Sequence, residues 1–400
     1  EQADVILDAI FGIGLEREVE GAYREWIETI NANPHAIRVA LDVPSGVDSD
    51  DSRVHGVAVR CHHTVCFQVG KPGCFQQPGA EHCGKVTIPD ISIPPHWPEE
   101  SPGIWKLTRQ ATRGLLPAVP EDSHKGRFGH LLTVCGSAGM GGAATLAATA
   151  ALKSGTGLVS AFVPERFRDR LPNQPPEVMT LSSPGSADRL TPEHTDTALR
   201  HAASRNAVVL GCGLGSHPET GEFVRAFVVE AEVPLLVDAD GLNHLSGQDL
   251  AERSGPTVLT PHPKELSRLC GQSVAEIQTS RIATARHWAQ EWEVVLVLKG
   301  SRTVVAAPDG AVFLNPTGNA GLATAGSGDV LSGMIGGFLA QGCSPLAAAL
   351  VGVYLHGLAA DTLVQVGLLP SALIASDLFR GIGLARHGLK STTMDCKSIA

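Results

Sequence analysis

A turn of small residues, Thr324-Ala325-Gly326-Ser327-Gly328-Asp329, runs into the apolar stretch Val330-Leu331-Ser332-Gly333-Met334-Ile335. Glycines at 326 and 328 let backbone N–H groups converge on an anion, and the helix predicted to follow adds the positive end of its dipole. In that first turn the Asp329 carboxylate can take a proton from a hydroxyl that attacks or carries a phosphoryl group. One short segment thus offers an oxyanion site and a base. The same residues also suit a structural end, Asp329 complementing the dipole and the glycines allowing close packing.

Other segments can supply the rest of a phosphate chemistry. Lys299-Gly300-Ser301-Arg302-Thr303 follows an apolar strand, so its ammonium, guanidinium, hydroxyl and backbone donors could face a nucleotide phosphate or simply form a solvated turn. Prolines on both sides of His262 in Thr260-Pro261-His262-Pro263-Lys264-Glu265 would fix the imidazole in one pose. Gly211-Cys212-Gly213-Leu214-Gly215 permits close backbone approach to a ligand or to a helix. Gly136-Ser137-Ala138-Gly139-Met140-Gly141-Gly142 lacks the spacing of a dinucleotide fingerprint, although it could cradle a pyrophosphate. Asp238 and Asp240, in a segment ending at Asn243, are placed to meet magnesium or a ribose, or to sit in solvent.

All these loops must sit at the carboxyl ends of strands, the ligand edge of an open α/β sheet. Strands are predicted at 130–135, 157–163, 206–210, 233–238, 256–260 and 294–298, with helices over 143–153, 218–230 and 274–292 between some of them. That alternation predicts a doubly wound, mostly parallel sheet, with a hairpin formed by 303–307 and 311–314 appended to it. Before it, Val5–Phe11 has the look of a buried parallel strand, followed by a helix at about 22–32 and a strand at 38–43. Domain limits follow at 1–95 for a partial Rossmann-like α/β domain, 96–122 for a proline-rich linker, 123–380 for the catalytic domain and 381–400 for a tail expected to be loosely packed.

A net charge of −10 argues against broad binding to nucleic acid or to an anionic membrane. Nine cysteines without a C-x-x-C pair point to reduced thiols in a cytosol rather than to a disulfide framework. The grouping Cys61-His62-His63, Cys66, Cys74 and His82-Cys83 fits no familiar zinc finger or ribbon. Neither a signal peptide nor a membrane span is read.

Taken jointly and in order, Asp122–Gly126, Gly136–Ala143, Gly211–Gly215, Asp238–Asn243, Thr260–Glu265, Lys299–Thr303 and Thr317–Asp329 make the chain resemble the bacterial bifunctional NAD(P)H-hydrate repair enzymes. In that family an epimerase domain is fused to an ADP-dependent dehydratase. The resemblance implies a ribokinase-like fold in which the hydrated dinucleotide (NADHX or NADPHX) contacts Ala143, Gly213, Gly215, His262 and Asp329. ADP would lie against Lys299, Gly300, Ser301, Arg302, Thr303 and Gly328, with Mg2+ assisting, and family members commonly form homo-oligomers. The reaction so implied phosphorylates the hydroxyl that water added at C6 of the nicotinamide ring, then releases phosphate and AMP.

The amino-terminal stretch resembles the second half of the epimerase domain. The resemblance implies K+ near Asp8 and Ser45, and substrate near Gly12-Ile13-Gly14-Leu15-Glu16-Arg17-Glu18 and Asp42. The family's opening helix and its Asn- and Gly-rich phosphate loop would precede Glu1, so little epimerase activity is expected of the chain as given. Two rivals remain at this stage: a small-molecule kinase of the same superfamily, and a nucleotide-binding module without catalysis.

Overall fold

A computed structural model describes residues 3–94 and 102–390, and the chain divides into two compact units. The first comprises 1–106 with 275–284, the second 107–274 with 285–400.

In the first unit four parallel strands, Val5–Asp8, Ile37–Leu41, His63–Val65 and Lys85–Thr87, pair in that order. Helix Gly21–Asn31 turns Ile27 inward, where it joins Val19, Ala40 and Val59 in a small core. The expectation of a buried first strand is corrected. Among the described residues Val5–Asp8 pairs on one side only; Val5 and Leu7 are exposed and Asp8 is the residue that is buried.

The second unit is built on the predicted sheet. Its strands run in the order Val312–Leu314, Val304–Ala306, Val295–Leu298, Thr257–Leu259, Leu235–Val237, Ala207–Leu210, His130–Val134, Leu158–Phe162 and Val178–Leu181. Pairing is parallel apart from the hairpin strand Val304–Ala306, which is antiparallel to both neighbours. Because His130–Val134 sits between Leu158–Phe162 and Ala207–Leu210, the chain order reverses there. Loops leaving neighbouring strands at such a point diverge and open a crevice.

Helices Gly141–Lys153, Ser327–Ala340, Pro345–Gln365 and Leu378–Lys390 pack against one another. Small residues make the first contact close: a Cβ on Gly333 would lie 2.0 Å from the Ala147 carbonyl oxygen, so the two backbones touch and the start of Ser327–Ala340 is fixed against Gly141–Lys153. Helix Pro345–Gln365 is long and apolar enough to span a membrane by length and composition, yet most of its residues, from Ala348 to Leu363, are buried in this core.

The structure differs from the sequence reading in four further places. Strand Val178–Leu181 was not anticipated; it is short and its Met179 is exposed, which blurs the apolar pattern. The helix over 274–292 is two helices, Val274–Thr279 and Arg281–Glu291, parted at Ser280. Within the linker, whose residues 96–101 lie outside the described residues, Ile104–Lys106 is a strand and Arg109–Leu115 a helix capped by Thr108. Residues 381–390 of the expected loose tail belong to helix Leu378–Lys390, since Leu378, Ile382, Ala385 and Leu389 recur at helical spacing and are buried. Residues 391–400 lie outside the described residues.

Candidate active site

Gly326 caps helix Ser327–Ala340 in the left-handed conformation, with φ of 87°. A side chain there would also meet Leu146, whose Cδ1 is 2.5 Å from the position of a Cβ. The turn therefore requires glycine twice over, by conformation and by space. Three residues on, Asp329 lies in the first helical turn and its carboxyl is pushed up to about 6. Burial is the main cause, reinforced by the negative charges of Asp238 and Asp240 and opposed by a hydrogen bond with Cys212 and by the Lys299 ammonium. A carboxyl poised there is ionised at neutral pH while remaining basic enough to accept a proton.

The Lys299 Nζ donates to Asp238 Oδ1 at 2.6 Å and lies 3.6 Å from Glu265 Oε2. Burial alone would lower its pKa, but the two carboxylates outweigh that and hold the ammonium charged. The second Asp238 oxygen accepts from Ser332 Oγ at 2.6 Å, one turn beyond Asp329 on the same helix. Gly328 approaches this pair: a Cβ on it would stand 3.6 Å from Lys299 Nζ and 3.8 Å from Asp238 Oδ2.

His262 joins the same network through Glu265. Its Nδ1 accepts from the backbone N–H groups of Lys264 and Glu265, capping helix Pro263–Cys270, while Nε2 lies 3.4 Å from Glu265 Oε1. Capping, beyond the flanking prolines, sets the imidazole's pose. Arg302 and Thr303 are engaged differently: the Arg302 guanidinium donates to the Pro316 carbonyl, and the Thr303 hydroxyl to the Gly300 carbonyl. Ser301 is exposed.

The glycine loops close a neighbouring wall. A Cβ on Gly213 would lie 2.9 Å from the Ala143 methyl, and one on Gly215 would lie 3.5 Å from Ser137 Oγ. Asp240 and His244 clamp Gly215 from both sides, the first accepting from its N–H at 2.8 Å, the second meeting its carbonyl at 2.7 Å. Of the two roles weighed for Asp240, ligand contact and solvation, the structure presents neither alone; one of its oxygens ties down the loop.

Sequence reasoning passed over four residues here. Cys212 is buried beside Asp329. His244 fixes Gly215. His356, buried, meets the Ser327 carbonyl through Nε2 at 3.0 Å, and Asp361 accepts from Gly318 N and Asn319 Nδ2 at 2.8 and 2.9 Å. Both of the last two project from helix Pro345–Gln365, whose long apolar run they interrupt, and that interruption was their signal in the sequence.

In the first unit, Asp8 is fully buried and accepts from Ser45 N at 2.8 Å and Ser45 Oγ at 2.5 Å. It makes no ion pair among the described residues, and Phe11 O lies 3.3 Å from the same hydroxyl. The buried carboxylate is thus met by hydrogen-bond donors, the Ser45 N–H and hydroxyl and the Ile10 N–H at 3.4 Å, and by no counter-charge among the described residues. Asp42, at a left-handed φ of 72°, accepts from Lys71 Nζ at 2.5 Å and from Phe67 N. Leu15, Arg17 and Glu18 line a cavity of about 330 Å3 with Phe11, Val19, Glu20 and Tyr23. Gly12, Ile13, Gly14 and Glu16 are not among its lining residues, and Ile13 is exposed. Cys66, Cys74 and Cys83 gather in an apolar cluster with Val43, Val47 and Ala58.

Residues 131–380 match the NAD(P)H-hydrate dehydratase family, and residues 1–73 match the family described as YjeF-related protein N-terminus. The bifunctional NAD(P)H-hydrate repair enzyme Nnr of Moorella thermoacetica is 43% identical over 363 residues, covering 90% of this chain and 68% of the relative. The chain belongs to the NAD(P)H-hydrate repair enzyme family. Among solved structures, the ADP/ATP-dependent NAD(P)H-hydrate dehydratase of Bacillus subtilis, crystallised with ATP and Mg2+, is similar with a TM-score of 0.62 and 33% identity. That match covers 72% of this chain and 99% of the other. A ribokinase-like superfamily protein of Enterococcus faecalis, with a TM-score of 0.61 and 24% identity over 74% of this chain and 99% of the other, has the same fold. The repair-enzyme fold is thus ribokinase-like, with the glycine turn and Asp329 inside the dehydratase match.

Proposed function

We propose that the second unit dehydrates NAD(P)H hydrate at the expense of ADP, with Asp329 as the base. The observation that carries the assignment is the Asp329 carboxyl, poised at about 6 in the first turn after a Gly326 cap that admits no side chain. Asp329 takes the proton of the C6 hydroxyl as that oxygen forms a bond to the β-phosphorus of ADP and the bond to AMP breaks. Phosphate then leaves C6 with the C–O bonding pair, a proton leaves C5, and NADH or NADPH is restored. The N–H groups at the start of Ser327–Ala340 hold the charge of the phosphoryl group, while Lys299 and Arg302 flank the nucleotide. Ala143, Gly213, Gly215 and His262 form the substrate wall, and Gly300, Ser301, Thr303 and Gly328 the nucleotide side.

Mg2+ suits this site as an ion carried by the nucleotide phosphates. Asp238 is committed to Lys299 and Ser332, and among the described residues no group of three or more His, Cys, Asp or Glu is arranged to hold a metal. In the first unit we infer a dinucleotide-binding role for Gly12–Glu18 and Asp42, with K+ held by Asp8 and Ser45. A cytosolic setting, in keeping with eight free cysteines among the described residues, and a homo-oligomer complete the reading.

The deciding experiment mixes the purified chain with chemically hydrated NADH and ADP and follows recovery of dihydronicotinamide absorbance. Recovery that requires ADP supports the dehydratase. Phosphorylation of another alcohol without recovery makes the protein a kinase, and nucleotide binding without turnover makes it a binding module.

A further inference from the structure

A cavity of about 430 Å3 lies at the opposite edge of the second unit's sheet from the candidate active site. Its lining residues Phe128 and Gly155 precede the parallel strands His130–Val134 and Leu158–Phe162, so it opens at the strands' amino ends. The Arg386 guanidinium enters it from helix Leu378–Lys390, its Nη1 only 2.7 Å from where a Cβ on Gly155 would stand. Arg386 is partly buried, and among the described residues it makes neither a hydrogen bond nor an ion pair. Burial lowers its pKa, the mark of a charge removed from water without compensation. A guanidinium remains charged all the same, and its unused fork of donors matches a carboxylate or a phosphate. Lys390 lines the same cavity one turn further along the helix and adds a second positive charge.

The remaining walls select more than a bare ion. Phe128 and Val119 supply an apolar side, and the volume falls in the range of small-molecule sites. Gln341 spends its amide N–H groups on the Ser154 and Gly337 carbonyls, which leaves its carbonyl oxygen as an acceptor at the cavity.

We propose that this cavity is a second ligand site, which binds a small organic anion by pairing its phosphate or carboxylate with Arg386 and Lys390 and packing its apolar body on Phe128 and Val119. It stands on other residues than the dehydratase reading and does not depend on it.

Calorimetric titration of the full chain with 1-naphthyl phosphate, 1-naphthoate, inorganic phosphate and 1-naphthol tests the proposal. At least one of the two naphthyl anions should bind saturably, and which of them binds tighter identifies the acid group. Phosphate and naphthol should each bind at least tenfold more weakly than that anion. Arg386→Ala should weaken the anion by about tenfold or more, as expected for a charge-assisted hydrogen bond. Should Arg386→Ala fail to fold, Arg386→Lys, which keeps the charge but loses the fork, and Lys390→Ala, at an exposed position, take its place, each weakening binding severalfold. No saturable binding to the folded chain, or unchanged affinity in these variants, overturns the site.

Discussion

Lys299 and Asp238 form an ion pair of 2.6 Å at the carboxyl ends of two strands that are not neighbours, Thr257–Leu259 lying between them. The pair ties the strand that precedes the predicted nucleotide segment to the one that precedes Asp240, and Ser332 ties both to the Asp329 helix. Lys299→Met leaves the buried Asp238 carboxylate facing Glu265 without a cation, and breaking such a pair costs about 3–5 kcal/mol. Because the Lys299 charge also lowers the Asp329 pKa, the variant should carry that pKa above about 6. Chemical denaturation reads the first effect and the acid limb of the pH–rate profile the second; an unmoved limb would show that Lys299 does not sense Asp329.

Asp329→Asn separates catalysis from stability. In its proposed role as the base, Asp329 must be ionised, so wild-type turnover should rise with pH through about 6 and then level. The Asn variant should lose about 10²–10⁴-fold in turnover while still binding ADP. Its stability should move the other way. The folded carboxyl binds its proton more tightly than the unfolded one, so the wild type loses stability as pH rises from the ordinary aspartate value of 3.8 to about 6. The shift corresponds to at most about 3 kcal/mol, reduced by the residue's partial exposure. At pH 7.5 the Asn variant should therefore be the more stable protein in thermal unfolding, and equal or lower stability there would contradict the burial that drives the shift.

Gly326 gives a steric test of the same turn. Alanine at this position must adopt a φ of 87° and place its methyl 2.5 Å from Leu146 Cδ1. A left-handed non-glycine residue costs on the order of 1–3 kcal/mol before any clash. Gly326→Ala should lower both stability and turnover, and pairing it with Leu146→Ala should recover part of the clash but none of the conformational cost.

The glycine turn, Asp329 and the strands that precede the surrounding loops were legible in the sequence, because local conformation and apolar runs mark them. The parallel sheet could be read for the same reason: its buried strands are continuous apolar runs such as Val295–Leu298 and Ala207–Leu210. What could not be read were relations between residues far apart in the chain. Nothing local announces that Ser332 completes the Asp238 shell, that Asp240 ties down Gly215, or that Cys212 reaches Asp329. Strand Val178–Leu181 failed for another reason, since four residues at a sheet edge with one side in solvent carry too little pattern. The 381–390 segment was misjudged because it was read as part of a loosely packed tail, although its apolar residues recur at helical spacing.

His356 supports the turn from behind, and its protonation provides the last test. Burial, with a smaller contribution from the Lys299 charge, holds its pKa at about 4 against the backbone contact with Ser327, so the imidazole is neutral at working pH and Nε2 donates to the Ser327 carbonyl. In the unfolded chain the same histidine titrates near 6.5, and the unfolded state therefore binds the extra proton between 6.5 and about 4. The His356 contribution to stability should be complete above pH 6.5 and lost progressively as pH falls toward 4, opposite in sign to that of Asp329 over the same window. His356→Gln keeps an amide N–H for Ser327 but has no proton to gain, so the stability difference between wild type and variant should shrink or reverse as the solution is acidified. His356→Leu removes the donor and strands a carbonyl, a loss of about 1–3 kcal/mol above pH 6.5 that should shrink toward pH 4 as the wild-type histidine loses its own contribution. Thermal unfolding of all three proteins from pH 4.5 to 8 distinguishes the cases: a pH-independent gap for the Gln variant means that His356 acts through packing alone, whereas a gap that closes with acid shows that the neutral imidazole holds the glycine turn in place.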